Sequence, residues 1–317
     1  MSIEFNHETN DIVNSTGQVK FNGTVVGGDN RILWYGSRGV FAGGGSGGST
    51  TAMDYITIAS TGNATDFGNL TVSRYGTAGL SNGSRGVYGG GGAYPNYYDT
   101  IDYITIASTG NATDFGNLSG TRQHLGGCSN SVRGVFGGGL LLDGTHYNIM
   151  EYITIATTGN VTDFGDLTVA RGYITSTNNT TRGVFAGGRP SGSATDVIDY
   201  ITIASTGNAT DFGNLSANRD FMASCSSEAG RGLFAGGSST DIIEYITIAT
   251  TGNATDFGNL TAGYLGLAGL SDGSRGVFAG HHSTGVIEYV TISTTGNAQD
   301  FGDLVENRRE LGAASGS

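Results

Sequence analysis

The sequence predicts an all-β chain folded as a six-bladed β-propeller of four-stranded blades. Three observations carry this: a composition that starves helices, one unit copied six times at intervals of 44 to 49 residues, and chain ends that complement each other as though closing a ring. Of 317 residues 57 are Gly and 2 are Pro, which excludes collagen, with its strict one-third Gly and abundant Pro. Hydrophobic residues at 37% suffice for a core, so disorder is excluded as well. Gly, Thr, Ser and Asn dominate, and Lys20 is the only Lys, which leaves few of the residues that support exposed helices.

The repeat is marked by an Arg-Gly pair at Arg38, Arg85, Arg133, Arg182, Arg231 and Arg275. Each pair opens an apolar run that ends in glycines, as in Val40-Phe41-Ala42-Gly43-Gly44. After a gap of changing length comes an alternating β-branched and aromatic segment, of which Asp102-Tyr103-Ile104-Thr105-Ile106 is typical and gives the clearest strand signal. A Thr-Gly-Asn turn follows, then Ala-Thr-Asp-Phe-Gly-Asn-Leu or a close variant, whose Phe and Leu supply apolar contacts. Last, beyond a second variable gap, is a run of small residues such as Thr77-Ala78-Gly79-Leu80-Ser81. Four short strands in about 45 residues is the spacing of a propeller blade, and a blade buries its faces only against neighbouring blades. The small-residue strand belongs at the crowded axis.

The chain stops at a small-residue run, 311–317, with no Arg-Gly strand after it, while the first repeat begins at Arg38 without such a run before it. The carboxyl-terminal strand is therefore expected to complete blade one; the competing solution places Ile32-Leu33-Trp34-Tyr35 there. Residues 1–37 lie outside the repeat as an amino-terminal β extension, expected to pair Ile3–Ile12 with Gln18–Val26 across a turn at 14–17 and to dock on the propeller, on a second copy or on a larger assembly. Residues 38–317 form the propeller.

An inner strand, an apolar strand ending in Gly-Gly, a Tyr-bearing strand and an aromatic before the next Arg together resemble the kelch-type repeat. Here the aromatic is Phe where kelch units usually carry Trp, and it lies 12 residues after the Tyr (Tyr55 to Phe67), which predicts a longer third strand or hairpin. The near-identical blades and the leader Glu4–Ile12 look most like the repeat propellers of tailed bacteriophages, notably marine and cyanobacterial ones. That resemblance implies a virion or tail-associated protein, made in the host cytoplasm and partnered by other virion proteins through the amino-terminal segment or the constant face.

A net charge of −12 argues against nucleic acid and against an anionic membrane surface, because both need exposed basic residues. The amino terminus has neither the basic region nor the apolar stretch of a signal peptide, and no window approaches a spanning helix. Cys128 and Cys225 occupy matching places in two repeats and read as small buried residues rather than a disulfide.

Several motifs imitate chemistry. Asp-Phe-Gly at Asp66, Asp114, Asp163, Asp211, Asp256 and Asp300 matches the metal-binding triplet of kinases, but it recurs six times without the companion motifs. It half-matches the Asp-box of sialidases, yet Leu stands where Trp is expected, and no arginine triad accompanies it. The Gly-rich stretches lack the Gly-Lys-Ser/Thr ending of a phosphate loop, and the repeated Asn-X-Ser/Thr triplets read as turns. His281-His282, the only adjacent His pair, has no further ligands at metal spacing. Each repeat instead carries one Arg of Arg-Gly, one acid before the Tyr (Asp54, Asp102, Glu151, Asp199, Glu244, Glu288) and one Asp of Asp-Phe-Gly. These predict a buried or half-buried ion pair joining strands or blades, because a desolvated charge must be partnered. No catalytic residue, cofactor or metal is expected.

Comparing the six copies separates two faces. The loops after strands one and three barely change, whereas those after strands two and four change in every blade and gather aromatics, His and Arg, the residue types enriched where proteins bind. The candidate binding residues on this variable face are Tyr75, Tyr94, Tyr97, Tyr98, His124, His146, Tyr147, Arg189, Phe221, Tyr264, His281 and His282. Flat aromatic side chains on an acidic scaffold suit stacking on sugar rings. Two functions fit: a phage adhesion module that recognises a host surface glycan or receptor, or a purely architectural virion component such as a decoration, collar or baseplate element.

Overall fold

The computed structural model describes residues 36–227, 229–281 and 283–317, together with the backbone of four two-residue strands between residues 5 and 25. Six four-stranded antiparallel sheets form a closed ring, a β-propeller, with no helix among the described residues. From axis to rim, blade 1 is Gly312–Gly316, Arg38–Ala42, Ala52–Thr57 and Thr65–Asn69. The carboxyl-terminal strand thus closes the ring, Gly312 facing Ala42 and Gly316 facing Arg38. Blade 2 is Ala78–Ser81, Arg85–Gly89, Thr100–Thr105 and Thr113–Asn117, and blades 3 to 6 repeat the order, starting at Gly126, Thr175, Ala223 and Ala268.

The small residues are a steric requirement of the inner strands. A Cβ on Gly79 would lie 2.1 Å from the Ala313 carbonyl oxygen of blade 1, and one on Gly269 would lie 2.2 Å from that of Ser224. Ser and Thr side chains stitch inner strands to their neighbours: Ser81 Oγ donates to Ser315 O at 2.7 Å, Ser129 Oγ to Ser81 O at 2.8 Å and Ser271 Oγ to Ser226 O at 2.7 Å. Cys128 and Cys225 are buried free thiols whose sulfurs pack against Gly183 and Gly276 of the next blade. The axis is nearly filled, with cavities of about 120 and 100 Å³ between the inner strands.

The core lies between blades. Val40, Met53, Phe67 and Leu70 of blade 1 pack on Tyr88, Ile104 and Ile106 of blade 2, and five equivalent clusters fill the other junctions. The third strand is not lengthened in five blades, where it has six residues; in blade 5 it runs Thr240–Thr247. The extra residues between Tyr and Phe form a turn that reaches back to the preceding blade. Gly110 N donates to Phe67 O and Ala112 N to Asn69 O, both at 2.8 Å, while Asn111 Oδ1 accepts from Asn69 N. These contacts cover the outer strand edge.

In the amino-terminal segment, Phe5–Asn6 pairs with Asp11–Ile12 and Lys20–Phe21 with Thr24–Val25. The expected pairing of Ile3–Ile12 with Gln18–Val26 across residues 14–17 falls largely outside the described residues; the pairs described there are each within one of these stretches. Ile32–Tyr35, the competing closing strand, lies outside the described residues, and blade 1 is completed without it.

Candidate functional site

Two sixfold arginine series hold the blades, and only one is the Arg-Gly series. Arg38, Arg85, Arg133, Arg182, Arg231 and Arg275 each lie over the ring of the Tyr facing them in their own blade, 4.1 to 4.6 Å from its centroid. Each then donates to a backbone carbonyl of the next blade, as Arg38 Nη1 does to Ile106 O at 3.0 Å and Arg275 Nη1 to Ile58 O at 2.9 Å across the closure. The expected ion pair of this arginine with an acid of its repeat is therefore replaced by a cation–π contact and a carbonyl hydrogen bond. Asp66, Asp114, Asp163, Asp211, Asp256 and Asp300 are exposed on the rim strand.

The acids before the Tyr find a different partner. Arg74 pairs with Asp102 at 2.9 Å, Arg122 with Glu151, Arg171 with Asp199 at 2.7 Å, Arg219 with Glu244 at 3.0 Å and Arg308 with Asp54 at 2.6 Å, all fully or almost fully buried. Each of these arginines sits in the loop leaving one blade, and its acid sits in the following blade. The sixth place is taken by Tyr264, so Glu288 is buried without an arginine and keeps only the contacts with Thr261 N and Oγ1, whose counterparts at Asp102 and Glu244 stand beside an arginine. Burial raises the Glu288 carboxyl; it raises Asp54 too, there opposed by Arg308.

These arginines orient the variable face. The residue two positions after each, and after Tyr264 in the sixth place, is Gly76, His124, Tyr173, Phe221, Gly266 or Glu310, and all six have positive φ between 54° and 78°. Their backbones form a closed ring around the axis: His124 N donates to Gly76 O, Tyr173 N to His124 O, Phe221 N to Tyr173 O, Gly266 N to Phe221 O, Glu310 N to Gly266 O and Gly76 N to Glu310 O, at 2.6 to 3.1 Å. Left-handed backbone suits Gly at two places, but in His, Tyr, Phe and Glu it costs roughly 1–2 kcal/mol per residue.

Above this ring lies a bowl of about 780 Å³. On one side the rings of His124, Tyr173 and Phe221 lie 4.3 to 5.2 Å apart, with Tyr75 and Tyr94 in the wall, the latter 81% exposed. On the other side Glu310 stands between Gly266 and Gly76, with Arg309 Nε 3.1 Å and His124 Nε2 3.5 Å from its carboxylate. Burial, with Arg309 nearby, pushes His124 down to about 3, so it is neutral at physiological pH; burial also raises Glu310. Gln123 is 96% buried, donates through Nε2 to the Tyr97 hydroxyl at 2.5 Å, and leaves its Oε1 without a hydrogen bond.

Of the candidate residues, the structure brings Tyr75, Tyr94, His124 and Phe221 to the bowl and Tyr97 to its edge through Gln123. Arg189 joins them indirectly, its guanidinium 5.3 Å from the Tyr173 ring centroid and tied to Asp220. Tyr264 and His281 pair with each other, 5.2 Å between centroids, and do not line the bowl; nor do Tyr98, His146 and Tyr147. His282 lies outside the described residues. Tyr173 and Glu310 were not among the candidates. Their signal is the constant four-residue spacing from the Leu after Asp-Phe-Gly to the loop arginine (Leu70 to Arg74, Leu167 to Arg171, Leu304 to Arg308), which puts both in the register of His124 and Phe221.

The fold and site define a six-bladed β-propeller with one axial, aromatic-lined bowl. No protein-family model matches the chain, and no curated protein matches its sequence. Among the described residues no group of three or more His, Cys, Asp or Glu is placed to hold a metal ion.

Proposed function

We propose that this propeller is a non-enzymatic binding module that recognises a surface glycan through its variable loop face, with the axial bowl as the principal contact. The observation that supports this most is the retention of bulky side chains at strained backbone positions. The fold is served by Gly at this register, as Gly76 and Gly266 show, yet four of the six places carry His, Tyr, Phe or Glu. Strain concentrated around a concavity is a mark of functional sites, and the bowl falls within the roughly 300–1,000 Å³ range of ligand pockets. Aromatic faces with a few convergent polar groups are the chemistry that holds a sugar.

The setting we propose is a phage virion or tail, which rests on the resemblance of the kelch-like, near-identical blades to tailed-phage propellers. The constant face or the amino-terminal segment would then attach to other virion proteins.

The test is binding of the purified protein to polysaccharide extracted from cyanobacterial and other marine bacterial cells, beside a Tyr94→Ala/Tyr173→Gly/Phe221→Gly variant. Saturable binding that the variant loses is the expected result. Absence of binding by both proteins, with both still folded, overturns this reading in favour of an architectural role.

A further inference from the structure

We infer that the axial bowl takes one neutral, hydroxyl-rich saccharide unit per chain and rejects anionic sugars. This rests on the glycan-binding reading and narrows its ligand. The strands and constant loops of the blades are near-copies, so a site built on them would recur six times. The bowl does not recur, because its ring runs Gly76, His124, Tyr173, Phe221, Gly266, Glu310, with aromatic rings on one half and a Gly-flanked carboxylate on the other. That two-sided character matches a pyranose, which has an apolar carbon face and a polar hydroxyl edge.

The lining of the bowl offers acceptors. Gln123, beside His124, holds its Oε1 buried and without a hydrogen bond; an unsatisfied buried acceptor is costly, so a side-chain shift that opens it to a ligand hydroxyl gains a full hydrogen bond. The Glu310 carboxylate is the second acceptor. The cations, in contrast, are committed. Among the described arginines, eleven belong to the two blade-joining series, leaving Arg189 and Arg309. Arg189 is bound to Asp220 and Arg309 to Glu310, while His124 is neutral. An anionic sugar would meet a carboxylate, no uncommitted cation and a chain of net charge −12. A neutral sugar donates hydroxyls to both acceptors with no charge to desolvate.

Titration calorimetry with neutral oligosaccharides (maltohexaose, a mannan and a galactan oligomer) against oligogalacturonate and sialyllactose tests this, repeated with Tyr173→Gly and Phe221→Gly singly. Expected are binding of a neutral probe at one site per chain, little change between low and high salt, and at least a tenfold loss in each Gly variant. Melting curves check that the variants fold, which is the expected result because Gly relieves the left-handed strain. Preference for an acidic probe, lost in the same variants, overturns the neutral-ligand inference while sustaining the glycan reading. Binding at several sites, or binding untouched by both variants, overturns the axial assignment. No binding of any saccharide by the wild-type protein overturns both.

Discussion

The blade junctions and the mouth of the axis sit on the same sixfold backbone and follow opposite rules. At the junctions the backbone and side chain repeat together: the same Arg lies over the same Tyr six times, and a buried Arg meets an acid five times. At the axial mouth only the backbone repeats, and the side chain differs at almost every position. Where the side chains repeat they close the ring; where they vary on an unvarying and strained backbone they are free to meet something outside it. The sixth junction, with Tyr264 in place of Arg, is the one point where variation reaches the structural series, and it leaves Glu288 without a cation.

The largest expected effect falls on a complete junction. Arg171→Ala leaves Asp199 buried and unpaired and removes hydrogen bonds to Gly187 O and Phe185 O, so it should cost about 3–5 kcal/mol in denaturant unfolding. A loss below about 1 kcal/mol would show that the pair does not hold the ring. Next is the cation–π staple: Arg182→Ala should cost about 1–2 kcal/mol, because it gives up both the Tyr200 face and the bond to Ile248 O. An effect as large as that of Arg171→Ala would erase the distinction between the two series.

The same substitution should have opposite signs at neighbouring junctions. Glu244→Gln strands Arg219 and destabilises at pH 7. Glu288→Gln removes a buried charge with no cation and stabilises. Because burial raises the folded Glu288 carboxyl above its ordinary value of 4.5, its contribution to stability is present at low pH and is lost as pH rises through the folded value. The advantage of Glu288→Gln should therefore be seen at pH 7, shrink as pH falls through the raised folded value, and be gone below about 4.5. Melting temperatures of both variants from pH 4 to pH 8 check this; a constant difference at Glu288 would remove the unpaired-charge account.

Much of the fold was legible in the sequence because steric demands at the axis and turn chemistry at the rim are local and were copied six times. The Arg-Gly marker and the terminal small-residue strand sufficed for blade number and closure. The ion-pair partner was missed because Arg74, Arg122 and Arg308 stand beside Tyr, Gln and Arg in loops that vary, and their constant spacing from the preceding Leu marks a register without showing that the guanidinium is buried. The variable face was visible as a face, but not its centre. Tyr173 follows a Gly and Glu310 follows two arginines; the spacing from the preceding Leu gives their register, but only the three-dimensional ring shows that this register, shared with His124 and Phe221, surrounds the axis.

The most direct measurement of the contrast between junction and mouth takes stability and saccharide binding on one protein, Tyr173→Gly/Phe221→Gly. The account predicts a melting temperature within a few degrees of the unaltered chain, since relief of roughly 1–2 kcal/mol of strain per residue offsets the lost ring contacts, together with loss of binding. A collapse of the melting temperature would place these rings with the structural series, and undiminished binding would take the ligand away from the axis.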